Sequence, residues 1–195
     1  MFTRAIVRPP CASFAEGLTT AGLGPPDLEK ALAQHERYCE ALAGCGIELT
    51  RLPPDPRYPD STFVEDTAVL TSHCAVIARP GAESRRGETE AVRRALGPFY
   101  ETPDEIEPPG TLDGGDICQA GDHFFIGLSE RTNEEGARQL AGFLARAGYT
   151  SSIVDVRGLP GLLHLKSGLA FLGGGWLVAA EAFASVAGAP QATAP

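Results

Sequence analysis

The strongest constraint on what this chain can fold into is a pattern that returns. The stretch "DTAVLTSHCAVIARPG" begins at Asp66, "GDICQAGDHFFIGLSE" at Gly115 and "SGLAFLGGGWLVAAEA" at Ser167, about fifty residues apart each time. Each is a pair of short β-prone runs around turn residues, the signature of a hairpin. A helical pattern and a further β-prone run follow the first two. The repeating unit is therefore ββαβ: a hairpin, a helix and a returning strand. Such a unit cannot bury both faces of its sheet and its helix alone, so neighbours must pack against it, with strands inside and helices outside. The expected class is α/β, a ring of ββαβ modules forming a single domain over residues 1–195. The ring is expected to be incomplete, with about three to four modules present. Its first module contributes only "RAIVR" and a helix, and the ending "SVAGAPQATAP" reads as neither strand nor good helix. Residues 185–195 are expected to be a disordered tail.

The helical period appears over residues 27–44, where Leu28, Ala31, Leu32, His35, Cys39, Leu42 and Ala43 share one stripe. A second helix is predicted from "SRRGETEAVRRALGPF", opened by Ser84 with acids in its first turns. A third is predicted from "TNEEGARQLAGFLARAG", with Thr132 and Glu135 as a capping box and Gly148 as its stop.

A net charge of -9 with no long Lys/Arg run excludes nucleic acid and an anionic membrane surface as main partners. No run approaches the length of a membrane span, and the N-terminus lacks the apolar segment of a secretory signal, so the expected location is cytoplasmic. The five cysteines are an odd number without a CxxC pair, which predicts free thiols and no metal knuckle.

Several clusters carry chemistry. "YPDSTFVEDTA" gathers Asp60, Glu65 and Asp66 where a loop meets a strand, a charge pattern suited to a planar guanidinium. "TLDGGDIC" sets Asp113 and Asp116 around two glycines, either as a ligand-facing turn or as a plain capped turn. In "LHLKSGLA", His164 reads either as a packed core histidine or as a proton donor and acceptor, and Lys166 could reach water along its stem. Arg85 and Arg131 lie at junctions between hairpin and helix in consecutive repeats, where they could hold a ligand carboxylate. Acids for a cation beside arginines for a carboxylate describe a site for a basic amino acid.

Taken together, "FVED", "RPGAESRRGE", "TLDGGD", "LSERTNEEGA" and "LHLKSGLA" resemble, in order and spacing, the dimethylarginine dimethylaminohydrolases of the guanidino-group-modifying superfamily. That resemblance covers the chain to about Ala184 and implies a five-bladed pentein-type α/β propeller. It implies hydrolysis of methylated arginines to citrulline and methylamine or dimethylamine, with no metal or organic cofactor. It also implies roles: His164 as catalytic histidine, Asp113 as its carboxylate partner, and Leu18, Asp60, Glu65, Asp66, Arg85 and Arg131 as substrate contacts. The family's nucleophilic cysteine has no counterpart among Cys11, Cys39, Cys45, Cys74 and Cys118. The expectation is a chain inactive alone, completed by a missing C-terminal segment or by a homodimer. The alternatives are a binding pseudoenzyme or a protein of the related arginine deiminase and amidinotransferase type.

Overall fold

The computed structural model describes residues 2–20 and 22–186, without the side chains of 184 and 185. Most of the tail expected over 185–195 therefore lies outside the described residues. The chain divides into two compact units, one of residues up to Val64 with Ser84–Phe99, the other of Glu65–Glu83 with residues from Tyr100 onward. No helix among the described residues is long and apolar enough to cross a membrane.

The first unit pairs strand β1 (Arg4–Val7) in parallel with β2 (Glu48–Arg51), Arg4 opposite Glu48. Helix α1 (Leu28–Gly44) connects them, as a parallel pair requires. Asp27 caps it by accepting a 3.0 Å bond from the Lys30 amide. The predicted single helix from Ser84 is instead a 3-10 segment, Glu83–Glu88, followed by α2 (Thr89–Leu96). The tighter winding stacks residues three apart, and it brings Arg85 over Glu88 in a buried ion pair.

The second unit holds the repeats. Antiparallel β3 (Ala68–Leu70) and β4 (Ala75–Ile77) are joined by a parallel β5 (Asp104–Glu105), with β4 central. Likewise β6 (Ile117–Ala120) and β7 (His123–Leu128) are joined by a parallel β8 (Thr150–Asp155), with β7 central and α3 (Glu134–Arg146) crossing over. The last hairpin is β9 (Leu169–Gly173) with β10 (Trp176–Ala179). Its turn runs through Gly173, Gly174 and Gly175 at φ of +87, +58 and +83°, a left-handed path closed to residues with a Cβ except at a cost.

Strand β7 shows why these sequences make such sheets. Phe124, Ile126 and Leu128 point into one core with Leu140 and Leu144 of α3, whereas Phe125 points into the other with Cys118, Val154 and Leu165. A central strand apolar on both faces needs cover on both, and the chain supplies it.

Thr132 does not cap α3. Asn133 does, accepting the Gly136 amide at 2.8 Å, and the Thr132 hydroxyl is used by a buried carboxylate.

Candidate active site

Each hairpin of the second unit is preceded by one turn of 3-10 helix: Val64–Thr67 before β3, Gly114–Asp116 before β6 and Leu165–Ser167 before β9. These turns carry the candidate residues. Glu65 and Asp66 lie within the first, Asp113 and Asp116 at the ends of the second, and His164 caps the third. Since β6 and β7 are antiparallel, the start of β6 and the end of β7 share one end of the sheet, which also brings in Ser129, Arg131 and Thr132.

Asp66, Asp113 and His164 each place one polar atom within 4.8 Å of the others. Asp66 accepts the Gly115 amide at 2.8 Å, and Asp113 accepts the Gly81 amide at 2.9 Å. The spacing suits a cation, and the planar guanidinium foreseen from the sequence is one such group. Gly115 is required by close approach: a Cβ there would lie 2.8 Å from Cγ and Cδ2 of the His164 ring.

The carboxylate nearest Nδ1 of His164 is Asp116, at 3.3 Å, while Asp113 shares the cluster with His164 within 4.8 Å. Asp113 precedes the 3-10 turn in an extended conformation and Asp116 closes it. Asp116 is fully buried and densely bonded. Its Oδ2 accepts the hydroxyls of Ser129 (2.7 Å) and Thr132 (2.6 Å), and its Oδ1 accepts the Leu165 amide (3.0 Å). The contact with His164 is an ion pair whose direction falls outside hydrogen-bond geometry. Burial acts to lower the proton affinity of His164, but Asp116 first, then Asp66 and Asp113, outweigh it and raise its pKa above the ordinary imidazole value.

Lys166, partly exposed, pairs its ammonium with Glu65. Arg131 is half-buried, and among the described residues its guanidinium makes no hydrogen bond or ion pair, leaving its fork of donors open to a carboxylate.

The remaining candidates belong to the first unit. Asp60 is buried and takes the Leu18 amide on both oxygens at 3.1 Å, so it anchors the loop whose exposed Leu18 side chain faces solvent. Arg85 directs Nε and Nη2 to Glu88 at 2.8 to 3.2 Å.

Cys118 packs in the core with Phe125 and Val154, and burial pushes its thiol pKa up despite the charge of Lys166. The group formed by Asp66, Asp113 and His164 contains no cysteine. A second cluster, His35, Glu36 and Cys39, has metal-like spacing, but Arg51 holds both oxygens of Glu36 at 2.7 and 2.9 Å. An open cleft of about 270 Å³ near Ser129 is lined by Leu159, Leu162, Leu163 and Arg157, and that arginine is paired with Asp155.

Of these residues, Ser129 and Thr132 were the ones sequence reasoning did not place in the site, and Asp116 was singled out there without a role. The signal for Asp116 was present in the second acid of "LDGGD".

No family model matches the chain. It is 52% identical over 186 residues to an N(G),N(G)-dimethylarginine dimethylaminohydrolase of Pseudomonas aeruginosa, covering 95% of this chain and 72% of that protein. It is 39% identical over 176 residues to the protein of the same name from Streptomyces coelicolor, covering 90% of this chain and 67% of that one. A solved structure of the Pseudomonas aeruginosa protein, a cysteine-to-serine mutant complexed with citrulline, superposes with a TM-score of 0.90 at 51% identity, over 95% of this chain and 72% of that chain. The N-terminal domain of a cyanobacterial arginine dihydrolase shares the fold, with a TM-score of 0.76 at 17% identity over 89% of this chain and 65% of that one.

Proposed function

Because the chain belongs to the dimethylarginine dimethylaminohydrolase family, we propose that its 195 residues recognise an Nω-methylated arginine and supply the acid–base half of its hydrolysis to citrulline and methylamine or dimethylamine. The observation that supports this most is the buried carboxylate set around His164, with Asp116 at 3.3 Å and Asp66 and Asp113 beside it.

In this reading Asp66 and Asp113 face the guanidinium, whose positive charge their carboxylates match, and Arg131 offers its open guanidinium to the amino-acid carboxylate. Leu18, Asp60, Glu65 and Arg85 are proposed as further contacts from the family resemblance. A thiolate adds to the guanidinium carbon to give a tetrahedral adduct. Protonated His164 then donates its proton to the methylated nitrogen as the carbon–nitrogen bond breaks, releasing the amine and leaving a thiouronium. Neutral His164 next takes a proton from water as the oxygen attacks the same carbon. Collapse expels the thiolate as the new hydroxyl loses its proton to solvent, which forms neutral citrulline and leaves His164 protonated for the next cycle. The raised pKa of His164 favours the protonated form that the first transfer consumes.

The thiolate is the one group that none of the five cysteines supplies at this site. That observation favours a second statement, that the 195 residues alone bind without turnover, since removing the nucleophile removes the covalent pathway. Incubation of the purified chain with asymmetric dimethylarginine, followed by a citrulline assay, is expected to show no product above the uncatalysed background. Stoichiometric or greater citrulline release would overturn the statement.

A further inference from the structure

No hydrogen bond or ion pair among the described residues holds the Arg131 guanidinium, so where its fork of donors can reach is set by its backbone. That backbone is seated from two sides. On one, the Ser129 hydroxyl accepts the amides of Arg131 at 3.0 Å and Thr132 at 3.2 Å. On the other stands Gly81, in the loop after β4. A Cβ built on Gly81 would lie 2.4 Å from the Arg131 carbonyl oxygen, 2.6 Å from its Cα and 2.8 Å from its carbonyl carbon. All three are backbone atoms, which cannot swing aside as the end of a side chain can. Gly81 is not among the glycines with a positive φ, so close approach, not an unusual backbone conformation, is what calls for glycine there. The same residue reaches the acid cluster, since its amide donates to Asp113 Oδ1 at 2.9 Å. The Asp113 amide in turn donates to Thr132 Oγ1 at 3.1 Å, which closes a ring of contacts through Gly81, Asp113 and residues 129–132.

We infer that Gly81 is the positioning residue of the carboxylate end and determines specificity there. Lacking a side chain, it lets the loop after β4 lie directly on the Arg131 backbone, and so fixes how far Arg131 stands from Asp66 and Asp113. A ligand with a cation at one end and a carboxylate at the other is then measured against a set span. Methylated arginine carries both groups and gains from the two ends together, whereas the same guanidine without its carboxylate gains from one. This rests on the reading of Arg131 as the partner of the amino-acid carboxylate, and it adds the residue that decides where that partner stands.

Gly81→Ala is the smallest change that tests this. Ordinary contact begins near 3.4 Å, so the two backbones must part by about 1 Å, a misplacement that can cost up to about a hundredfold. Calorimetric titration with asymmetric dimethylarginine and with dimethylagmatine, which keeps the guanidine and the amine but has no carboxylate, separates the two ends. The expected result is a loss of about tenfold or more for the first ligand and a change within about twofold for the second. Equal losses for both ligands, as general damage to the fold would give, or no loss for either, would overturn the inference. Amide hydrogen exchange reads the seat without any ligand. The Arg131 amide, bonded to Ser129, should exchange faster in Gly81→Ala than in the native chain, and an unchanged rate would count against the seat. Should Gly81→Ala not fold, the native chain decides: Gly81 and Arg131 amides with protection equal within about threefold open as one unit and support the inference, and amides that open independently overturn it. A folded native chain that binds neither ligand would remove the proposed function and with it the specificity, while the exchange rates still decide whether Gly81 seats Arg131.

Discussion

Glu88 offers the sharpest energetic test in the first unit. Its side chain is 1% exposed, that of Arg85 is 7% exposed, and their closest nitrogen–oxygen distance is 2.8 Å. Arg8, also buried, has its pKa lowered by burial, with Asp55 and Glu88 opposing that effect. Glu88→Gln therefore strips the countercharge from one buried guanidinium and weakens it for another. Breaking a buried pair from one side costs about 3–5 kcal/mol, and glutamine, which keeps some hydrogen bonding, belongs near ~3 kcal/mol. A built-in control lies on α2, where Arg94 and Glu90 are 67% and 60% exposed at 2.7 Å. Glu90→Gln is expected to cost less than about 0.5 kcal/mol, because solvent already screens that pair. With a urea slope of about 2–3 kcal/mol per molar, the first variant shifts the unfolding midpoint down by roughly 1 M or more, and the second by about 0.2 M. Circular dichroism through a urea series reads both. The reasoning fails if the two variants unfold at the same denaturant concentration. It also predicts that an apolar replacement of the whole pair, Arg85→Met with Glu88→Leu, recovers most of the loss.

Other outcomes follow from the same geometry. Gly115→Ala puts a methyl group 2.8 Å from the His164 ring and should displace it, read as a change in the His164 NMR titration; an unchanged titration would show that the close approach does not matter. Because the folded pKa of His164 is raised, its contribution to stability is fully present below its unfolded pKa of about 6.5 and is lost as pH rises through the folded value. The stability difference between the native chain and His164→Gln should accordingly shrink with rising pH in urea titrations, and a difference that grew with pH would contradict the sign. The β9–β10 hairpin exposes Leu172, Trp176 and Val178, an apolar face that favours self-association. Trp176→Lys should reduce association in sedimentation velocity, and since Trp176 is the sole tryptophan, its fluorescence should shift to the blue as native chain concentration rises. Concentration-independent sedimentation of the native chain would refute this.

Much of the fold was legible because it repeats. The period of the hairpins located β3–β4, β6–β7 and β9–β10, and the apolar stripe located α1 to within a residue of Leu28–Gly44. What sequence patterns misjudged were residues with two competing uses. "TNEE" is a sound capping box by local rules, yet the Thr132 hydroxyl serves Asp116 and Asn133 takes the cap. Arg85 lies at the hairpin-to-helix junction where the sequence placed it, and the 3-10 winding also sets it on Glu88 three residues on, a contact that no local pattern announces. In "LDGGD" the sequence offered two acids around a pair of glycines. Which acid meets the imidazole depends on where the turn before β9 places His164, a distance of some fifty residues along the chain that no local pattern encodes.

The central claim is that these acids and Arg131 form a site for methylated arginine, and calorimetric titration with asymmetric dimethylarginine tests it most directly. The account expects saturable binding by the 195-residue chain that is weakened at least about tenfold by Asp66→Ala and by Arg131→Ala, each loss corresponding to about 1.4 kcal/mol or more. Absence of binding by a folded native chain, or binding that both variants keep undiminished, would contradict it.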